Sequence, residues 1–452
     1  MPTCYRLLNA GLLMLAVCAQ AAVAADIMEA YKDAVASDPQ LLQAAANREA
    51  TQEQKPQARA QLLPTLGTGA DYTYDYYHKP YGVPAFRLGP GARPGATSPN
   101  TYDATVTLTQ PLYNRAAEYG IKQAEANASQ GDADLDTAQQ DLVVRVVQLY
   151  FGVLGALDNL TFRIADKDAI ARQLEQAKRR FEVGLLTVTD VAQAQARYDL
   201  ATADELDARR TLADSREALR AVTGKYYNQI NVLDEKAPLD PVKPNDPDAW
   251  VKIALDNNPQ VRSATFAVES SRENIEVQKS GHYPTLNLEG SNSYANQGAN
   301  TFTDNQVSLK LQIPLFEGGA VSARTREAAY LHESAKEKLE QVQREVIRSV
   351  RNSYQGLETA RSRVKALETA VVSNRSALEA TQAGFDVGTR TIVDVLNAER
   401  DLLSAIRDLS LSRYDYIINR MQLIQAAGQI TGRKQMEAIN AWLRLPKEKQ
   451  PK

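Results

Sequence analysis

The chain has 452 residues, 7% of them aromatic, and a formal net charge of −3. That mild acidity excludes a basic nucleic-acid binder. The low aromatic content and hydrophilic average predict no deep apolar core.

Residues 1–25 read as a secretory signal peptide, with Arg6 as the positive end, Leu7 to Ala19 as the apolar stretch and Val23-Ala24-Ala25 as a small-residue cleavage site. The apolar stretch is short for a membrane anchor. Cys18 follows Leu15-Ala16-Val17, which also hints at a lipoprotein signal, although Val17 is bulky where a small residue is expected. Cleavage before Asp26 would remove Cys4 and Cys18, the only cysteines, and so any disulfide or thiolate metal site. It would also remove Arg6 and take the net charge from −3 to −4.

Two similar units follow. Pro39, Pro64 and Pro111 recur as Pro259, Pro284 and Pro314, at spacings of 220, 220 and 203 residues. Such self-similarity points to one unit written twice. The first is read over 26–224: a helical segment, strands at about 66–77 and 102–113, and long helices at about 116–182 and 190–222. A linker at 225–250 leads to the second, over 251–428, with strands at about 285–295 and 305–315 and helices at about 321–386 and 394–427. A tail at 429–452 ends the chain.

The strands are predicted from alternation. In Val307 to Leu315 every odd position is apolar against mostly polar even positions, a period of two. Ala104 to Leu112 sets Val106, Leu108 and Leu112 against Thr105, Thr107 and Thr109, and Tyr72, Tyr74 and Tyr76 oppose Asp71, Thr73 and Asp75. Length of about 10 residues, tyrosines near one end and a Pro/Gly-rich loop at 78–100 favour a lipid-facing sheet. Four membrane strands cannot close, because bare backbone edges in hydrocarbon cost several kcal/mol per group. Two or three copies would supply 8 or 12 strands, and small barrels start at about 8. The alternative is a soluble periplasmic coiled-coil adaptor or scaffold with a soluble sheet.

The helical tracts are free of proline from Pro111 to Pro238 and from Pro314 to Pro446, and rich in good helix formers. Each is predicted as a rod of roughly 100 Å that reverses and returns. The reversals share one motif. Phe181-Glu182-Val183-Gly184-Leu185-Leu186-Thr187-Val188-Thr189-Asp190-Val191 matches Phe385-Asp386-Val387-Gly388-Thr389-Arg390-Thr391-Ile392-Val393-Asp394-Val395. The glycines suit a left-handed helix end, and Thr187 and Thr391, or Asp190 and Asp394, suit a cap. Catalysis finds no support: the three histidines, His78, His282 and His332, have no metal-ligand spacing, and no phosphate loop is present. No enzyme activity and no cofactor are expected.

The leader, the paired strands and the two reversal motifs resemble the TolC family of Gram-negative outer-membrane efflux channels. The resemblance covers nearly the whole chain after residue 25. It implies an α+β membrane protein: a homotrimer with a 12-stranded β-barrel, four strands per chain, continued by an α-helical coiled-coil tunnel through the periplasm. It implies an exit duct for drugs or proteins in a tripartite pump or type I secretion system. The partners would be outer-membrane lipid, a periplasmic adaptor (membrane fusion protein) and an inner-membrane transporter of the RND, ABC or MFS type. The adaptor would meet Val183, Gly184, Leu185, Val387, Gly388 and Thr389. The family's gate maps onto Thr189, Asp190, Phe385 and Arg390, where Phe385 lacks the family's tyrosine hydroxyl and implies a looser closed state. Its two aspartate rings map onto Asp394 and Asn397, leaving one acidic selectivity ring.

Overall fold

A computed structural model describes residues 25–74, 100–234, 237–297 and 300–446. The expected signal peptide, apart from Ala25, and the loop at 78–100, apart from Asn100, lie outside the described residues, as does the strand expected beyond Tyr74. Three short helices come first among the described residues: α1 (Ile27–Ser37), α2 (Pro39–Gln52) and α3 (Gln54–Ala60). Pro39 stands at the first turn of α2, where its missing N–H costs nothing, and Asp38 caps that turn by accepting from Leu41 N–H at 2.9 Å. Helix α2 stops at Gln52, four residues before Pro56, which has no N–H to donate back to the Gln52 carbonyl.

Strands β1 (Thr65–Tyr74) and β2 (Asn100–Tyr113) follow, then the rods α4 (Arg115–Glu182) and α5 (Val188–Thr223). Asn114 caps α4 by accepting from Ala117 N–H at 3.2 Å. A two-residue strand β3 (Val232–Leu233) and helices α6 (Pro247–Asn257) and α7 (Pro259–Lys279) come next. Pro259 again stands at the first turn, behind an Asn258 cap. Strands β4 (Thr285–Gln297) and β5 (Asn300–Gln312) lead to rods α8 (Ala320–Asp386) and α9 (Ile392–Ala426). The chain ends in α10 (Arg433–Asn440) and β6 (Leu443–Arg444), which pairs antiparallel with β3 and so ties the 225–250 segment to the tail.

The four longer strands form one antiparallel sheet in the order β1-β2-β4-β5. The register places Leu66, Tyr72, Val106, Leu108, Leu286, Leu288, Leu309 and Leu311 on one face. Asp71, Thr73, Asp103, Thr107, Glu289 and Lys310 lie on the other. No helix covers either face among the described contacts. The apolar side chains stay exposed, Leu66 by 73% and Val307 by 80%.

The expectation of no deep core is overturned at one level of the rods. Halfway along, α4 buries Leu142, Val143, Val146, Val147, Tyr150, Phe151 and Leu154, while α9 buries Tyr416, Ile417, Met421 and Leu423. Helices α1, α6 and α10 wrap this level and add Ile27, Trp250 and Met436. Tyr150 is fully buried, and its hydroxyl donates to Asn231 O at 2.8 Å and Ala25 O at 3.2 Å. Phe151 stacks at 5.3 Å on Tyr414. Average composition hides this belt because solvated rods dilute it. By length and composition α4 could cross a membrane, yet 61% of its most apolar window is buried inside the protein. Among the described residues no group of three or more His, Cys, Asp or Glu could hold a metal.

Candidate functional site: the two helical reversals

The rods reverse through near-identical turns. At the first, Gly184 takes φ +76°, and its N–H bonds Phe181 O at 2.9 Å while Leu185 N–H bonds Arg180 O at 2.8 Å. At the second, Gly388 takes φ +81°, and its N–H bonds Phe385 O at 2.9 Å while Thr389 N–H bonds Gly384 O at 2.8 Å. A left-handed residue there lets the last carbonyls of the incoming helix find donors, which only glycine does without strain.

Both outgoing helices start with a reciprocal capping box. Thr187 Oγ1 accepts from Asp190 N–H at 3.3 Å, and Asp190 Oδ2 accepts from Thr187 N–H at 2.9 Å and its hydroxyl at 2.7 Å. Thr391 and Asp394 repeat this at 3.3, 2.9 and 2.8 Å. So the threonine is the cap and the aspartate the third residue of the helix in each case. Bonds from Thr187 hold the Asp190 carboxyl below the ordinary carboxylate range. Bonds from Thr391, with the Arg390 charge nearby, do the same for Asp394.

Around these caps the surface is bare and apolar. Val183, Leu185, Val188 and Val387 are each about two-thirds exposed or more. The residues expected to meet a partner, Val183, Gly184, Leu185, Val387, Gly388 and Thr389, lie three on each reversal, all exposed. The residues expected to form a gate are not all joined within one chain. Asp190 and Val393 line one groove between α4, α5 and α9. Arg390 packs along Gly384, within 2.8 Å of where a Cβ would stand, and its charge acts on Asp394 of its own turn. Thr189 is exposed, and Phe385 is 36% exposed. Asn397 lines a second groove, higher on α9, with Asp166, Arg197 and Arg400.

In and around that second groove lie ion pairs the sequence reading missed. Asp166 of α4 is buried to 6% side-chain exposure and pairs with Arg400 of α9 at 3.1 Å. Arg172 and Glu399 pair at 3.2 Å between the same two rods. Lys167 of α4 and Arg209 both reach Glu205 of α5. The α4–α9 pairs have no counterpart in the repeat: shifting by 204 sets Ala370 at the place of Asp166 and Ala196 at that of Arg400. Only the unpatterned charges on otherwise apolar helix faces signal them.

Comparison with known proteins agrees with this geometry. The outer membrane efflux protein family matches residues 30–225 and 250–429. The chain is 38% identical over 433 residues to outer membrane protein TolC of Vibrio cholerae, covering 94% of this chain and 95% of that one. It is 30% identical to the alkaline protease secretion protein AprF of Pseudomonas aeruginosa, covering 88% and 83% of the two chains. The outer membrane channel CmeC of Campylobacter jejuni shares the fold at a TM-score of 0.75 and 16% identity, over 92% of this chain and 90% of that one. Strand pair, rod, capped reversal and returning rod, twice in one chain and matched along almost its full length, leave one conclusion: the chain belongs to the outer membrane efflux protein family.

Proposed function

We propose that this chain is one third of an outer-membrane exit duct. Three copies, each giving four strands, form a 12-stranded barrel through the outer membrane, and their rods form a tunnel through the periplasm. The observation that carries this is the sheet itself. It exposes an apolar face bearing Leu66, Val106, Leu108, Leu309 and Leu311, and it leaves β1 and β5 as open edges. Lipid suits that face, and open edges in lipid require closure.

The tunnel's far end is the pair of reversals. There Val183, Gly184, Leu185, Val387, Gly388 and Thr389 meet a periplasmic adaptor, which couples the duct to an inner-membrane transporter. Thr189, Asp190, Phe385 and Arg390 shape the gate, with Asp190 and Arg390 of neighbouring copies as its polar link. Asp394 supplies one acidic ring that favours cations, while Asn397 leaves the next position uncharged. The relatives include proteins named for protease secretion and one named for cobalt-zinc-cadmium resistance, so both secretion and efflux suit the fold. The chain acts as a passage, and the family's function requires no reaction of its own.

The test is electrical. Detergent-extracted protein, measured as a trimer by mass, is placed in a planar bilayer. Discrete conductance steps with cation preference are expected, and Asp394→Asn lowers that preference. A protein that stays soluble without detergent and never conducts overturns the proposal.

A further inference from the structure

We propose that the junction between the sheet and α4 holds the headgroup of an anionic phospholipid, one per copy, in a site built from Arg115, Tyr119, Lys122 and Tyr283. This rests on the reading of the sheet as lipid-facing, and it adds a specific ligand at the rim where the rods begin.

The place follows from the strand ends. β1 begins at Thr65, β2 ends at Tyr113, β4 begins at Thr285 and β5 ends at Gln312, so the antiparallel strands meet the helices along one rim. Tyr113 faces Leu286 across the β2–β4 ladder and so shares the apolar face of the sheet. Two residues further on, Arg115 opens α4. An apolar surface thus runs straight into cationic and tyrosine side chains, the profile of a membrane boundary.

Tyrosines enclose the Arg115 guanidinium. It lies 4.3 Å from the centre of the Tyr283 ring and 5.1 Å from that of Tyr119. Its Nη2 donates to the Tyr119 hydroxyl at 3.3 Å and stands 3.5 Å from Glu276 Oε2. Its Nε is covered and finds no acceptor among the described residues, while 28% of the side chain stays open. A cation so far withdrawn from water gains more from an incoming anion than a fully solvated one does. Residues 115, 119 and 122 share one stripe of α4. The Lys122 ammonium lies 4.6 Å over the Tyr119 ring, although Glu118 stands one turn before it. Glu276 is shared with Lys279 at 3.2 Å. Arg115, Lys122 and Lys279 therefore outweigh Glu118 and Glu276, and the cluster keeps a positive charge.

The repeat serves as an internal control. At a spacing of 203 or 204, Arg115 corresponds to Gly318 or Gly319 and Tyr119 to Ser322 or Ala323. At a spacing of 220, Tyr283 corresponds to Leu63 and Glu276 to Pro56. The second strand-to-rod junction is thus built without this cluster, so joining a strand to a rod does not require it.

The ligand follows from the chemistry. A guanidinium fork and an ammonium suit a phosphodiester, and tyrosine hydroxyls add neutral donors. The sheet beside Leu286 and Leu288 takes the acyl chains. A zwitterionic headgroup brings its own ammonium, which a positive cluster repels, so phosphatidylglycerol is favoured over phosphatidylcholine.

The test uses the full chain extracted in detergent. Native mass spectrometry follows binding of phosphatidylglycerol, phosphatidylcholine and inorganic phosphate. Wild type should hold phosphatidylglycerol in preference, and Arg115→Gln and Lys122→Gln should each weaken it about fivefold, the effect of one basic residue at a lipid surface. Arg324→Gln, which removes a cation paired with Glu317 at the second junction, should leave binding unchanged. Lys122 is exposed, so its variant decides the matter if Arg115→Gln does not fold. Unchanged retention in Lys122→Gln or in folded Arg115→Gln overturns the site, as does equal binding of the two lipids. Inorganic phosphate that binds as well as the lipid makes the ligand a free anion and overturns the lipid assignment. A detergent-dependent trimer that holds neither lipid overturns the site alone. A particle that stays soluble without detergent overturns the lipid-facing reading beneath it.

Discussion

The mid-rod belt and the reversals are built from the same helices, yet they are held by different forces. In the belt, α4 and α9 bury full-size aromatic and aliphatic side chains, with Tyr150, Phe151 and Tyr416 almost wholly covered. Towards the reversals, α4 buries no residue beyond Leu174, and α8 none beyond Val364. What holds those last turns is mainly backbone, two left-handed glycines and two capping boxes, with a few ion pairs and the buried Val395 and Leu396 at the start of α9. Apolar burial fixes the belt in place. Capped ends with so little burial can shift as units without unravelling.

Truncation should separate the two regions most sharply. Tyr150→Ala removes a fully buried ring and two hydrogen bonds, and it should cost about 3–5 kcal/mol in denaturant unfolding. Val387→Ala removes a side chain that is 75% exposed, and it should cost less than about 0.5 kcal/mol while weakening adaptor capture. Equal losses from the two would erase the distinction.

Between the regions stand the ion pairs linking α4 to α9. Arg400→Ala strands the covered Asp166 carboxylate, and a loss of about 1–3 kcal/mol is expected, below the full cost for a pair buried on both sides. Arg172 and Glu399 are both more open, so their coupling in a double-mutant cycle should be about 0.2–1 kcal/mol. A larger coupling for Arg172–Glu399 than for Asp166–Arg400 would mean that burial does not rank these ties. At the reversals themselves, Gly184→Ala and Gly388→Ala meet no neighbour within 4 Å, so only their positive φ resists a side chain. About 1–2 kcal/mol of local strain follows. Hydrogen exchange should rise around 181–190 and 385–394 and stay unchanged in the belt.

The reversals were the most legible part of the sequence. Val-Gly followed by Thr-x-x-Asp carries its geometry locally, and the two copies reinforce each other. Sequence left open whether threonine or aspartate was the cap, because both residues suit that place; the boxes use both. Period-two alternation marks the strands, but it cannot show that β5 stops at Gln312 while its counterpart β2 runs to Tyr113. That end depends on which strand lies alongside. The belt was missed because its residues come from distant segments: Ile27, Tyr150, Trp250, Tyr416 and Met436 meet only in three dimensions. Asp166 and Arg400 were missed for the same reason, being 234 residues apart.

Acid should move the two regions in opposite directions, in separate windows. The folded state depresses the Asp190 and Asp394 carboxyls, so their contribution is complete above the ordinary carboxylate range. It fades as pH falls through their lowered folded values, below about 3.9. Asp158 in α4 behaves oppositely. Burial raises its carboxyl, and this outweighs the bond it accepts from the Tyr414 hydroxyl at 2.8 Å. Its ionisation costs stability at neutral pH, so acidification from the raised folded value down to the ordinary range strengthens the belt. Amide exchange followed downwards from neutral pH should therefore show α4 near Asp158 tightening first, while the reversals hold. The reversals should loosen only at lower pH. Asp158→Asn should abolish the first change and Asp394→Asn should weaken the second at its own reversal. If the reversals loosened before the belt tightened, the capping boxes would not be what holds them.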